Sequence, residues 1–271
     1  MQERLLEGWL DNATEREYQL PFCQLLLHKG EMVLRSTRHS PLEFGKDIIS
    51  KRPDGTICAY QLKGHPGARF TKTQFQAILP QIDEMCSIPI SIPGLQTSRY
   101  QCYLVTNGRV EEEVDHEIGL KSQFLAANAL PALSLSIIGR DQLLAEMTLM
   151  GAGLWPRRPS DLDCLLRLLA ADGNGEPPFS DLHKFLSELL LLTENSPPPG
   201  SMPEVQRRIS ASAVFIALAL RPFQQKQNYW AQVQGWTLLC AYIISCCDRY
   251  SLDFASLGQR TVSLVSSGIS D

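Results

Sequence analysis

The chain has 271 residues, 44% hydrophobic and 20% charged, a globular composition long enough for one large or two ordinary domains, which excludes disorder as the default. A net charge of −4 and a pI near 5.8 exclude bulk basicity as a source of nucleic-acid affinity, so any such contact must come from a local patch. The eight cysteines form no paired CxxC metal pattern and no apolar signal-type run opens the chain, so thiols in a reducing cytoplasm are expected.

From Gln2 to about Leu27 apolar residues recur at helical spacing, broken near Asp11-Asn12, where Asn12 or Thr14 caps a second helix with Glu15 and Glu17 in its first turn. Pro21 fits that helix only near its start or at a kink. Glu31 to Thr37 reads as a strand. Phe44 to Ile49 and Ile57 to Gly64 then read as the arms of a β-hairpin, with Pro53 presetting φ in the loop and Gly55 taking its left-handed position. If Arg52 and Thr56 close that loop, Ile49 faces Ala59, Asp47 faces Gln61 and Gly45 faces Lys63. Paired residues share a face of the ladder, as do residues two apart on one strand. Asp47, Gln61 and Lys63 therefore converge, with Gly45 leaving space beside the lysine. A carboxylate, a second oxygen ligand and an ammonium group so placed make a Mg²⁺ and phosphate site.

Thr71 or Thr73 caps the next helix, in which Phe75, Ile78, Ile82 and Met85 form an apolar stripe and Pro80 introduces a kink. Tyr100 to Thr106 is a strand ending at Asn107-Gly108, followed by a helix over Glu111 to Asn128, a strand over Leu133 to Ile138 and a helix over Asp141 to Met150. The order α-β-β-β-α-β-α-β-α describes an α/β domain with a mixed sheet whose last strands need helical crossovers and run parallel. Gly151-Ala152-Gly153, Pro156 and Pro159 place a domain boundary at residue 153. Residues 154–271 carry only helical patterns, at Ser160 to Ala171, Ser180 to Leu192, Glu204 to Leu220 and Gln224 to Cys247, and read as an all-α domain. Its most apolar runs fall short of the roughly 20 residues that span a bilayer, so no membrane segment is expected.

Residues 1 to about 150 together resemble the Mrr-like branch of the PD-(D/E)xK nuclease superfamily, the restriction-endonuclease fold. Arg16-Glu17-Tyr18 precedes Phe44-Gly45-Lys46-Asp47, and Tyr60-Gln61-Leu62-Lys63 gives the QxK variant in place of (D/E)xK. Leu104-Val105-Thr106-Asn107-Gly108-Arg109 and Ile137-Ile138-Gly139-Arg140-Asp141-Gln142-Leu143 are similar to the later strand ends of that family. The resemblance implies a restriction-endonuclease-like mixed sheet flanked by helices, and Mg²⁺-dependent hydrolysis of DNA phosphodiester bonds with Mn²⁺ able to substitute. Asp47 would anchor the metal, Gln61 would add an oxygen ligand, and Lys63 would orient the attacking water or neutralise charge in the transition state. Gln61 removes one negative charge relative to the commoner glutamate, which weakens metal affinity. Glu17 is carried over as the acidic residue of the first helix, with Glu15 and Gln19 as alternatives; an exposed glutamate complementing the helix dipole is the bland account. His65, Arg69 and Lys72, in the Gly-Pro-rich loop after Lys63, are expected to contact DNA phosphates. Glu43 is either a solvated loop carboxylate or an additional acidic residue of the site.

The resemblance also implies a cytoplasmic nuclease effector of prokaryotic restriction or antiphage defence, acting on double-stranded DNA under the control of another subunit. The sequence has no Walker-type loop, so a regulatory NTPase or sensor subunit is expected as partner. Leu182, Phe185, Leu186, Leu189 and Leu190 form one wide apolar helix face in the C-terminal half, and Trp230, Val233, Trp236, Leu239 and Ile243 form another. These faces are expected to build the domain's own core and to leave surface for homo-oligomerisation or for that subunit. Two rival readings use the same residues: a catalytically silent nuclease fold kept for nucleic-acid binding or assembly, and a DNA repair or recombination nuclease. The intact set Asp47, Gln61 and Lys63 argues against silence.

Overall fold

Two helices open the chain, α1 (Gln2–Leu10) and α2 (Glu15–His28), in a computed structural model that describes residues 2–36, 44–92, 95–97, 99–128, 130–155, 159–194, 200–251 and 262. There follow β1 (Met32–Ser36), β2 (Ile48–Lys51), β3 (Ile57–Lys63), β4 (Arg69–Phe70), α3 (Lys72–Ser87), β5 (Ile90–Ile92), β6 (Leu95–Thr97), β7 (Tyr100–Thr106), β8 (Arg109–Val110), α4 (Glu112–Ala127), β9 (Ala132–Ile138) and α5 (Arg140–Met150). Four helices complete the described chain: α6 (Pro159–Leu169), α7 (Phe179–Leu189), α8 (Met202–Gln225) and α9 (Tyr229–Arg249). Glu43, the end of the first predicted strand at Thr37 and nearly all of the tail beyond Ser251 lie outside the described residues.

Packing divides the chain into two units. One contains Glu3–Gln19 and Lys29–Met147, the other Leu20–His28 and Thr148–Asp271. The sequence reading drew a single cut near residue 153 and kept all of α2 with the sheet. An apolar stripe requires burial without naming what buries it, so the pattern in α2 could not assign its second half to the helical unit.

The first unit is mixed α/β, with a five-stranded sheet in the order β1-β2-β3-β7-β9. The β1/β2 and β2/β3 pairs are antiparallel, and β3/β7 and β7/β9 are parallel. Helices α3 and α4 provide the crossovers that parallel pairing requires. Their buried faces, with Phe75, Ile82, Met85, Val114, Ile118 and Leu125, form one core with Ile49, Ala59, Cys102, Leu104 and Leu135 of the sheet. Thr71 caps α3 through a capping box with Gln74, and the helix continues past Pro80 to Ser87. The ladders β4/β8 and β5/β6 were not foreseen, because two or three residues are too few for a period-two pattern to register.

The hairpin has the expected register: Ile48 pairs with Tyr60, Ile49 with Ala59, Ser50 with Cys58 and Lys51 with Ile57. Arg52 N–H donates to Thr56 O at 2.9 Å, and Gly55 has φ +89°. A buried carboxylate ties this hairpin to β1, with Glu31 accepting from the Ser50 and Tyr60 hydroxyls and from Arg52 Nε.

Gly45 departs from expectation. The ladder ends at Ile48, and Phe44 and Gly45 turn through left-handed conformations at φ 49° and 70°. A Cβ on Gly45 would stand 2.5 Å from the Gln81 carbonyl oxygen and 3.2 Å from Met85 Cβ. The glycine lets the backbone before Asp47 approach α3, and this contact is its evident role.

In the helical unit, Leu182, Phe185, Leu186, Leu189, Leu190, Leu239 and Ile243 are buried as expected, whereas Trp230 is 67% exposed. Helix α8 runs beyond Leu220 and through Pro222 to Gln225, and α9 starts at Tyr229, with Asn228 accepting from Ala231 N–H at its N-terminus. The expected fourth helix therefore begins later than Gln224. Gly235 permits close packing of α9 on α8, since a Cβ there would lie 2.6 Å from Leu220 Cδ2. Among the described residues no helix is long and apolar enough to cross a membrane.

Gly45→Ala meets both a left-handed φ and a carbonyl that cannot rotate away. It should lower unfolding stability by roughly 1–3 kcal/mol. Urea denaturation followed by circular dichroism checks this, and a midpoint equal to that of the unsubstituted protein would show that the turn relaxes without cost.

Candidate active site

Asp47 stands one residue before β2, and its side chain continues the hairpin past the last ladder pair. Its Oδ2 accepts the Leu62 backbone N–H at 2.6 Å, anchoring the carboxylate beside the peptide between Gln61 and Lys63. Ile49 and Ala59 belong to the core on the α3 side, and alternation puts Asp47, Gln61 and Lys63 on that face. Gln61 confirms it by donating from Nε2 to Gln81 Oε1 of α3 at 2.8 Å. Lys63 ends β3 opposite Thr106 of β7, half-buried at the carboxyl edge of the parallel strands. Asp47 is thus hydrogen-bonded to the backbone of β3 between the other two residues that the hairpin register selected.

Gln61 is 2% exposed, and its Oε1 is buried with no hydrogen-bond partner. An amide flip leaves the difficulty in place, because only one end of the amide reaches Gln81 in either orientation. A buried carbonyl oxygen without a protein donor is an acceptor open to a water molecule or a cation. Asp47 Oδ1, Gln61 Oε1 and phosphate or water oxygens are hard donors of the kind Mg²⁺ takes, so the residues present fit that ion. Among the described residues no group of three or more His, Cys, Asp or Glu side chains is placed to hold a metal by itself. Any ion here would rely on the neutral amide and on substrate or water.

The first-helix carboxylates separate. Glu17 accepts the Thr14 backbone N–H and closes the first turn of α2, which is a capping role. Glu15 is brought to the end of β3: a Cβ on Gly64 would lie 2.7 Å from Glu15 N. Buried Tyr18 stands beside both, its hydroxyl donating to Val105 O at 3.2 Å with the Lys63 amide in hydrogen-bond reach. Burial first, then the negative charge of Glu15, hold the Tyr18 phenol protonated, and the charge of Asp47 adds to the effect. Gln19 donates to Ser36 Oγ at 3.0 Å. Of the three candidates, Glu15 shares an electrostatic neighbourhood with Asp47.

The loop after Lys63 is pinned rather than loose. His65 N–H donates to Asn107 Oδ1 at 2.8 Å, and the ring packs on Phe70 with centroids 4.7 Å apart. Burial lowers the His65 pKa, so the ring is a poor cation at neutral pH. Lys72 pairs with Glu117 at 2.7 Å on the surface. Arg69 is exposed, and its ladder partner in β8 is Arg109.

Two groups outside the sequence-selected set hold this edge in place. Asn107 Nδ2 donates to the Leu10 and Ala13 carbonyls, each at 2.7 Å, tying the α1–α2 corner to the end of β7. Arg140, 5% exposed, binds Asp11 through two nitrogens and donates to Glu7 at 2.7 Å and Asp141 at 2.9 Å. Its charge is therefore consumed internally. Gln81 gave no sequence signal, because its role exists only once α3 crosses the sheet. Arg109 could have been flagged by its position just past a parallel strand, the edge where α/β sheets bind ligands.

Compared with family models, curated proteins and solved structures, the chain matches none.

Arg140→Met should cost roughly 1–3 kcal/mol of stability at neutral pH by removing the partner of the Asp11, Glu7 and Asp141 carboxylates. The Arg140 hydrogen bond holds the Asp11 pKa below its ordinary value, so this stabilisation is complete above the unfolded pKa near ~3.9 and fades as pH falls through the folded value. Urea unfolding of both proteins at neutral and strongly acidic pH should show the gap narrowing with acid. A gap independent of pH would assign the loss to packing alone.

Proposed function

We propose that the sheet unit is a metal-dependent endodeoxyribonuclease of restriction-endonuclease-like architecture, hydrolysing phosphodiester bonds of double-stranded DNA. The observation that carries this reading is the buried, unpartnered Gln61 Oε1 on the same face as the Asp47 carboxylate and Lys63. Three antiparallel strands followed by helical crossovers to parallel β7 and β9 support the same reading, since that order is what the QxK resemblance implies. Mg²⁺, or Mn²⁺ in its place, held by Asp47 and Gln61 would supply polarisation of the phosphoryl oxygen and a more acidic attacking water.

The chain's own residues do the remaining work. The Leu62 amide fixes the orientation of the Asp47 carboxylate. Gln81 accepts from the Gln61 amide and turns the Gln61 carbonyl toward the site. Lys63 places a positive charge where negative charge grows on the phosphoryl oxygens. Glu15, whose backbone approaches Gly64 at the end of β3, is the α2 carboxylate that this reading assigns to a water molecule of the site. In this reading the chain is an effector of restriction or antiphage defence in the cytoplasm. Tyr229 and Trp230, 68% and 67% exposed on α9, offer apolar surface for self-association or for a regulatory NTPase or sensor subunit.

Asp47→Asn, which keeps an oxygen to accept the Leu62 N–H, and Lys63→Ala should each lower plasmid cleavage in Mg²⁺ by on the order of 10²-fold or more while leaving the melting temperature nearly unchanged. Nicking by either variant at the unsubstituted rate would remove the assignment, and cleavage that persists in excess EDTA would remove the metal.

Gln61→Glu should retain cleavage and lower the Mg²⁺ concentration needed for half-maximal rate, with Gln81 turning its amide to donate. Gln81→Leu should raise that requirement by roughly 10-fold with little change in the rate at saturating metal, and Gln81→Glu, which keeps an acceptor, should restore it. Equal Mg²⁺ dependence in Gln81→Leu and the unsubstituted protein would mean that Gln61 is oriented by something else.

A further inference from the structure

The short parallel ladder of β4 and β8 pairs Arg69 directly with Arg109. Directly paired residues share a face, with Cα atoms about 5 Å apart, and like charges so placed repel. Both arginines are exposed, and neither guanidinium has a hydrogen-bond or ion-pair partner among the described residues. The neighbouring acids are engaged: Asp11, within electrostatic reach of Arg109, is bound by Arg140, and Glu111 accepts the Lys72 backbone N–H. The ladder itself is held from beneath, since His65 packs on Phe70 of β4 and Gly108 fits against His65, where a Cβ would lie 2.9 Å from His65 Cβ. Two arginines without an ion pair among the described residues, on a fixed support in a protein of net charge −4, form a local cationic pair.

Their place on the sheet identifies the anion. Arg109 follows Thr106 by three residues, and Thr106 is the ladder partner of Lys63. Three extended residues span at most about 11 Å, so the arginine pair lies roughly one or two nucleotide steps from the lysine. We propose that Arg69 and Arg109 clamp a backbone phosphate of the DNA strand that flanks the phosphodiester at Lys63. Each guanidinium presents a planar fork matched to phosphate oxygens, and the bound anion relieves the repulsion between them. The clamp sets the register of the strand without reading its sequence. This inference rests on the nucleic-acid reading of the site, and it adds Arg109 as the partner that completes the Arg69 contact.

The test is binding of the full chain to a short fluorescently labelled DNA duplex in EDTA, over a salt series, with plasmid cleavage in Mg²⁺ measured on the same preparations. Arg69→Gln and Arg109→Gln should each weaken binding several-fold, and the double variant roughly 10-fold or more, with the slope of log affinity against log salt falling by about one per arginine. Lys121→Gln, which removes one positive charge from α4, should leave the slope unchanged. Melting temperatures verify that the exposed substitutions preserve the fold. If the unsubstituted chain binds and cleaves while Arg109→Gln keeps its affinity and slope, the clamp is wrong and the nuclease reading stands. If binding depends on both arginines but no cleavage occurs with any metal, the clamp stands and the nuclease reading falls. A chain that neither binds nor cleaves DNA overturns both.

Discussion

The bond from the Leu62 amide to Asp47 Oδ2 is the interaction on which the candidate site depends. Backbone pairing in the hairpin stops at Ile48, and this bond ties the residue before the ladder to β3. The bond fixes one carboxylate oxygen and with it the orientation of the group. Two further constraints act on the same segment. Gly45 brings its backbone against the Gln81 carbonyl, while the Gln81 side chain holds Gln61. One residue of α3 therefore braces both arms of the motif, and the relative positions of Asp47 and Gln61 follow from how that helix seats on the sheet.

Replacing a carboxylate by an amide at position 61 changes the economy of the site. A glutamate buried this deeply would carry a desolvation penalty whenever no cation was present, and its charge would be relieved by protonation or by an ion pair. The glutamine avoids that penalty and leaves instead one unpartnered neutral oxygen, which is cheaper. Such a site has weaker intrinsic hold on a divalent ion and relies more on oxygens brought by substrate.

Electrostatics around the site are decided by which cations are already spent. Arg140 is enclosed by Asp11, Glu7 and Asp141, and Lys72 by Glu117, while His65 loses basicity through burial. Lys63, Arg69 and Arg109 have no ion pair among the described residues, and all stand at the carboxyl ends of the parallel strands or one short ladder beyond. An acidic protein can in this manner keep a small positive locus without becoming a general polyanion binder, because screening confines the field of a few charges to about 8–10 Å.

The hairpin and its convergent residues were legible in the sequence because its signals are local. Pro53 and Gly55 fix the loop, the loop fixes the register, and a period of two then puts Asp47, Gln61 and Lys63 on one face without reference to the rest of the chain. The α/β class and the parallel last strands followed from alternating patterns for the same reason. What the sequence could not supply were contacts between segments far apart along it. Gln81 meets Gln61 across the α3 crossover, Arg109 meets Arg69 through a ladder of two residues, and Gly64 at the end of β3 meets the backbone of Glu15. The second half of α2 joined the helical unit on grounds of packing alone. Local chemistry determined which residues could form the site, whereas the tertiary structure decided which of them stand free, since hydrogen bonds and ion pairs to distant partners leave no periodic trace in the sequence.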